Sequence, residues 1–253
     1  MTGFGLLLRK EVREQARTMR LVVVVAVFAV LGLLSPVFAR YVREIVEAVG
    51  GGQIGVVIPD PTVRDAVVQF TKNLGQLGAV IAILLSMGAI ATEKERGTAA
   101  FALTKPVTRA AFIAAKVVAI GGLLALALAV AGGLAWVYTA ILFEPLPAAG
   151  FAAAVALVWL SLAVFAALTF LASVMAPSAL LAGGIGLGLL FASGFLSILP
   201  TVGTYLPTSL WGAADQVAVG TVPDPLVGPV LVNIALVAGA IGLAAAIFRR
   251  QEL

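Results

Sequence analysis

The sequence predicts an all-α membrane protein of six transmembrane helices with both termini on the cytoplasmic side. Three observations carry this. Of 253 residues, 62% are hydrophobic and 11% charged, with a mean hydropathy of +1.13, whereas a soluble domain carries about 25% charge. Between Glu144 and Asp215 no residue is charged, and a water-facing surface cannot be built from such a stretch. The remaining charge-free windows have the length of a membrane span, because a hydrocarbon core of about 30 Å needs about 20 apolar residues in a helix that pairs all its backbone groups. The chain has neither Cys nor His, which excludes disulfides, cysteine nucleophiles, histidine bases, Ser/His catalysis and the usual zinc ligands. No catalytic, cofactor-binding or metal-binding residue is assigned.

The elements follow in order. Residues 4–20 read as an amphipathic interfacial helix: Phe4, Leu8, Val12, Ala16 and Met19 fall three or four apart, while Arg9, Arg13 and Arg17 form a row on another face. Residues 21–39, between Arg20 and Arg40, are the first span, too long for the apolar region of a signal peptide and closed by Leu34-Ser35-Pro36. The outer segment 40–72 begins with an apolar stripe of Tyr41, Ile45, Ala48 and Val49, breaks at Gly50-Gly51-Gly52, and turns between Pro59 and Pro61, which predicts a small extracellular cap. Residues 73–92 and 117–143 are the second and third spans; the latter exceeds the core thickness and implies tilt or a protruding end. The long uncharged stretch divides at Ala176-Pro177-Ser178 into spans at 150–174 and 179–198, and the sixth runs over 226–248. In the outer segment 199–225, a short helix is expected from Pro207 to Val219, with Thr208 or Ser209 as N-cap and Trp211 at headgroup depth.

Orientation follows from Lys and Arg. With the N-terminus inside, twelve basic residues are cytoplasmic and four are outside (Arg40, Arg43, Arg64 and Lys72), where seven acids lie. A pI of about 9.8 then reflects topology and attraction to anionic membrane lipid, not nucleic acid. No Asp, Glu, Lys or Arg falls within these spans, so ion or proton coupling inside the membrane is not expected. Ser86, Ser161, Thr169, Ser173, Ser193 and Asn233 are assigned to helix packing or backbone hydrogen bonds. Gly184 and Gly188 in the fifth span, with Gly183 and Gly186 beside them, form a Gly-xxx-Gly pattern suited to helix packing or a dimer contact.

The inner loop 93–116 is the most informative polar segment. Charges of both signs crowd at Glu93-Lys94-Glu95-Arg96, Gly97 permits a reversal, and Ala99 to Leu103 can form a short helix that Pro106 ends. Thr108 can cap a helix beginning near Ala110, which continues as the third span. A short helix presented to the cytoplasm is a docking element.

Four features in this order resemble the integral-membrane permease subunit of type-2 ABC transporters, the group that includes copper-enzyme maturation and antibiotic-export permeases. They are the start with Arg9-Lys10-Glu11 and Arg17-Thr18; Leu34-Ser35-Pro36; Glu93-Lys94-Glu95-Arg96-Gly97-Thr98 with Lys105-Pro106-Val107-Thr108-Arg109 and Lys116; and the closing Phe248-Arg249-Arg250-Gln251-Glu252-Leu253. The resemblance implies that the stretch from about Thr98 to Lys105 is a coupling helix seated in a groove of a separate ATP-binding cassette subunit. Glu93, Glu95, Arg96, Gly97, Thr98, Pro106 and Arg109 would hold that loop, with Phe101 on the short helix. It also implies a second permease chain in a homo- or heterodimer, and ATP and Mg bound by the partner alone, since no Gly-Lys-Ser/Thr phosphate loop exists in this chain. The function expected is ATP-driven export of a hydrophobic or amphipathic compound across a prokaryotic plasma membrane. The alternative is a membrane scaffold or assembly factor, metalloenzyme maturation included, without solute transport. An enzyme acting on lipid is disfavoured, because no acids or nucleophiles cluster at one depth.

Overall fold

The computed structural model describes residues 3–49, 59–95, 97 and 108–251. Among these no residue lies in a strand, and six helices are long and apolar enough to cross a membrane. Helix α1 (Phe4–Arg17) ends where Met19 adopts φ of 60°, and α2 (Arg20–Val49) starts at once in a new direction. Next come α3 (Val63–Met87), a short α4 (Ala91–Glu95), α5 (Arg109–Leu142) and α6 (Ala148–Met175). The chain continues through α7 (Ala179–Leu196), α8 (Pro200–Gly203), α9 (Ser209–Ala218) and α10 (Val227–Arg250). The glycine break expected at 50–52 lies outside the described residues.

Local chemistry sets these boundaries. Thr108 accepts a hydrogen bond from the Ala111 amide at 3.2 Å and Ser178 from the Leu181 amide at 3.2 Å, so α5 and α7 start on capped turns. Two boundaries differ from those expected. Helix α2 does not close at Ser35-Pro36 but runs thirteen residues further, to Val49. Proline removes one backbone donor, and the Ser35 hydroxyl supports that turn by donating to the Leu31 carbonyl at 2.6 Å. Helix α3 starts ten residues before Asn73, on a capping box in which Thr62 and Asp65 satisfy each other's backbone amides. Its Arg64 and Lys72 are exposed while Ala66, Val67 and Phe70 on the same helix are buried. A charge there marks a face, not an end.

Helix α6 is the central post, packed against α3, α5, α7, α9 and α10. The main core joins Phe28, Phe70, Leu74, Leu124, Leu162 and Phe165, and a second one joins Ile90, Phe112, Phe170, Val174 and Phe248 where α1 and the end of α10 lie. The close approach of α7 uses Gly183 and Gly186: a Cβ on them would sit 2.7 Å from Met87 Sδ and 2.4 Å from Thr169 Oγ1. Gly184 and Gly188, the expected packing pair, would meet nothing within 4 Å. They lie on the opposite face, because each residue turns the helix by about 100°.

At the other end, α9 packs one face against the bundle. Leu210, Ala214 and Ala218 are buried, and Trp211 lies against Gly75 and donates from its indole to Ser161 Oγ at 2.9 Å. Neither candidate cap acts on the helix start: Thr208 meets Ser193 at 3.0 Å, and Ser209 donates to the carbonyls of Thr204 and Leu206. Asp215 accepts a hydrogen bond from the buried Thr71 hydroxyl of α3. Burial pushes the Asp215 carboxyl above its ordinary range, opposed by the Thr71 hydrogen bond and by Arg64 and Lys72. The folded chain therefore holds this proton more tightly than the unfolded one. The contribution of Asp215 to docking α9 is fully present below the ordinary value of 3.8 and is lost as pH rises from there through the raised value. Hydrogen exchange of the α9 amides is expected to quicken across that window, and Asp215→Asn to flatten the dependence; an unaltered slope in the variant would place its origin in another group.

Candidate functional site

The termini-proximal end gathers the polar chemistry of the chain. Helix α3 stops at Gly88, and the turn that follows leaves the amides of Ile90 and Ala91 without helical partners. Both donate to Ser173 Oγ on α6, at 3.1 and 3.0 Å. Ile90 is fully buried in the second core, so α4 leaves the bundle from a fixed point.

Three consecutive side chains of α4 then reach three different helices. Glu93 accepts from Lys116 Nζ of α5 at 2.8 Å. Lys94 donates to the Val174 carbonyl at 2.7 Å, one of the orphan acceptors at the end of α6. Glu95 accepts from the Ala179 amide at 3.3 Å, at the start of α7, where a carboxylate suits the helix dipole. Beyond the loop, Arg109 at the head of α5 donates to the carbonyls of Phe248, Arg249 and Gln251 at 3.1, 3.1 and 2.7 Å. Phe112 and Phe248 stack with ring centroids 5.7 Å apart beside that clamp. Gln251 closes the circuit by donating to the Val174 carbonyl at 2.9 Å.

Lys116 is the hub. It is 6% exposed, it also lies 3.2 Å from Glu11 Oε1 of α1, and it rests over the Phe112 ring at 5.1 Å. Lys116 lies just before the third span as read from the sequence, two turns into α5, and is buried against two acids. One ammonium between two carboxylates ties α1, α4 and α5 together.

Of the residues expected to hold the loop, Glu93, Glu95 and Arg109 take part in this network. Gly97 adopts φ of +64°, and its amide donates to the Lys94 carbonyl at 3.1 Å, which turns the chain. Arg96, Thr98, Phe101 and Pro106 lie outside the described residues. The sequence reading missed Glu11, Lys94, Lys116, Ser173 and Gln251 as members. A signal for Lys116 existed: a lysine eight residues past the Thr108 cap is about 12 Å along the helix, beyond its first turn.

The profile described as "ABC-2 family transporter protein" matches residues 6–210, which spans α1 to the start of α9. The chain belongs to the ABC-2 transporter family. It is 28% identical over 216 residues, 83% of each chain, to the uncharacterized transmembrane protein YxlG of Bacillus subtilis (strain 168). As an ABC-2 family member it is a multi-pass membrane protein of a prokaryote with a permease role, the membrane component of a transporter and not its catalyst. The family in general works with an ATP-binding partner. Helix α10 lies beyond the matched residues, yet Arg109 and Gln251 bind its end into the network that surrounds the loop.

Proposed function

We propose that this chain forms the substrate path of an ATP-driven exporter and is moved by a separate ATP-binding subunit seated on residues 98–105, at the cytoplasmic end of the bundle. One observation supports this most: the residues on either side of that segment are each bonded to a different helix, Glu93 to α5, Lys94 to α6, Glu95 to α7 and Arg109 to α10. A partner that closes on ATP and displaces the segment would move these helices together, and Glu11 would carry the motion to α1. The chain supplies contacts that differ between the two states; the partner, with ATP and Mg, supplies the energy. A second permease chain would complete the path, with the open α7 face that carries Gly184 and Gly188 as its contact. The cargo is a hydrophobic or amphipathic compound, in keeping with apolar spans.

The test uses the full chain with its ATP-binding subunit in nanodiscs. Phe101→Asp is expected to abolish co-purification of the ATPase and leave the melting of the chain unchanged. Arg109→Met is expected to keep the complex but lower export per ATP by about tenfold, within the usual range of coupling energies. Wild-type assembly and export in both variants would refute the assignment of the loop.

A further inference from the structure

A cavity of about 400 Å³ lies between α3, α5, α6 and α10, in the half of the bundle next to the termini, with Ser86, Gly121, Trp159, Phe170 and Ile241 in its lining. Among the described residues that line it, none is charged. Its outer lip is α5, where Val118, Gly122 and Ala125 are exposed. The volume falls within the roughly 300–1,000 Å³ of small-molecule sites, and apolar walls with one placed polar group are their usual makeup. That group is the Ser86 hydroxyl, which is fully buried and without a hydrogen-bond partner. Buried polar groups are rarely left so. Water is a poor partner, since a buried water needs two to four polar contacts and the other polar groups here, Trp159 Nε1 and the Gly121 carbonyl, bond each other at 3.1 Å. A bare hydrocarbon chain offers Ser86 nothing.

We propose that this cavity binds an uncharged hydrophobic molecule bearing one hydrogen-bonding group, which enters sideways from the hydrocarbon between α5 and α10 and places that group on Ser86. Charged ligands are excluded by the cost of desolvation against these walls. The inference goes beyond ATP coupling and does not need it. Binding is read on the chain without its partner, so either idea can fail alone.

The probe is N-phenyl-1-naphthylamine, a neutral aromatic with a single N–H that fluoresces in apolar surroundings, titrated into the full chain in phosphatidylcholine nanodiscs. Saturable binding to one site is expected. Gly121 lines the cavity and a Cβ there meets nothing within 4 Å, so Gly121→Leu is expected to weaken binding by about tenfold or more. Ser86→Ala, which removes only the hydroxyl, weakens it by about three- to tenfold and carries the test if the leucine variant misfolds. Gly242→Leu, on α10 with equally open space, leaves it unchanged. The proposal is overturned by non-saturable uptake equal to that of empty nanodiscs, or by wild-type binding in the first two variants. It is also overturned if mass spectrometry finds a phospholipid bound one to one that excludes the probe and is lost in Gly121→Leu.

Discussion

Lys116→Met is expected to destabilise the chain by about 3–5 kcal/mol and to release α1 from the bundle. The estimate rests on asymmetry: removing one partner of a buried ion pair leaves the other charge uncompensated, and that penalty exceeds the net worth of the intact pair. Here two carboxylates, Glu11 and Glu93, would lose a buried partner, with side chains only 14% and 20% exposed; Glu11 would keep Lys10, half-exposed, at 3.6 Å. The triple variant Glu11→Gln, Lys116→Met, Glu93→Gln removes the charges together and should recover much of the loss. Thermal melting measures the first effect. The second is read by labelling Leu7→Cys, in a chain that has no cysteine of its own, because Leu7 packs against the core that holds Phe112 and Phe248. Faster labelling in Lys116→Met is expected. Wild-type melting and labelling in that variant would show that the triad does not hold α1.

The six long helices were legible in the sequence because apolar length is a local property, and so were the cap at Thr108 and the break before Ser178. What was not legible depends on which way a helix faces. Counting charge-free windows treats each charge as a boundary, yet Arg64 and Lys72 sit on the exposed side of α3, and the burial of Lys116 on α5 depends on two acids from other helices that meet it. The contacts of Trp211 were not legible either: Gly75 leaves space for the indole, which donates to Ser161 on α6. The loop flanks Glu93, Glu95 and Arg109 were identified by resemblance alone. Their bonds run to residues more than 20 positions away, to Lys116, Ala179 and Phe248, and no local pattern encodes such pairings.

Gly32→Ala is expected to have the next largest effect after Lys116→Met, although no glycine motif marks the position. A Cβ on Gly32 would lie 2.4 Å from the Ala131 carbonyl oxygen, 2.7 Å from its Cα and 2.8 Å from its carbonyl carbon. All three are backbone atoms, so no side chain can turn aside, and α2 and α5 must separate along their shared length. Overpacking of this kind costs about 1–3 kcal/mol or more, against a gain of about 1 kcal/mol from the better helix propensity of alanine. At Gly184 only the gain applies within one chain, because the added methyl meets nothing. Gly32→Ala is thus expected to melt below the wild type and Gly184→Ala at or above it, when each is measured as a single chain in detergent. If a second permease chain seats on α7, Gly184→Leu would weaken assembly without lowering the melting of the monomer, whereas Gly32→Ala would lower both. Equal melting of Gly32→Ala and the wild type would show that the two helices have room to spare.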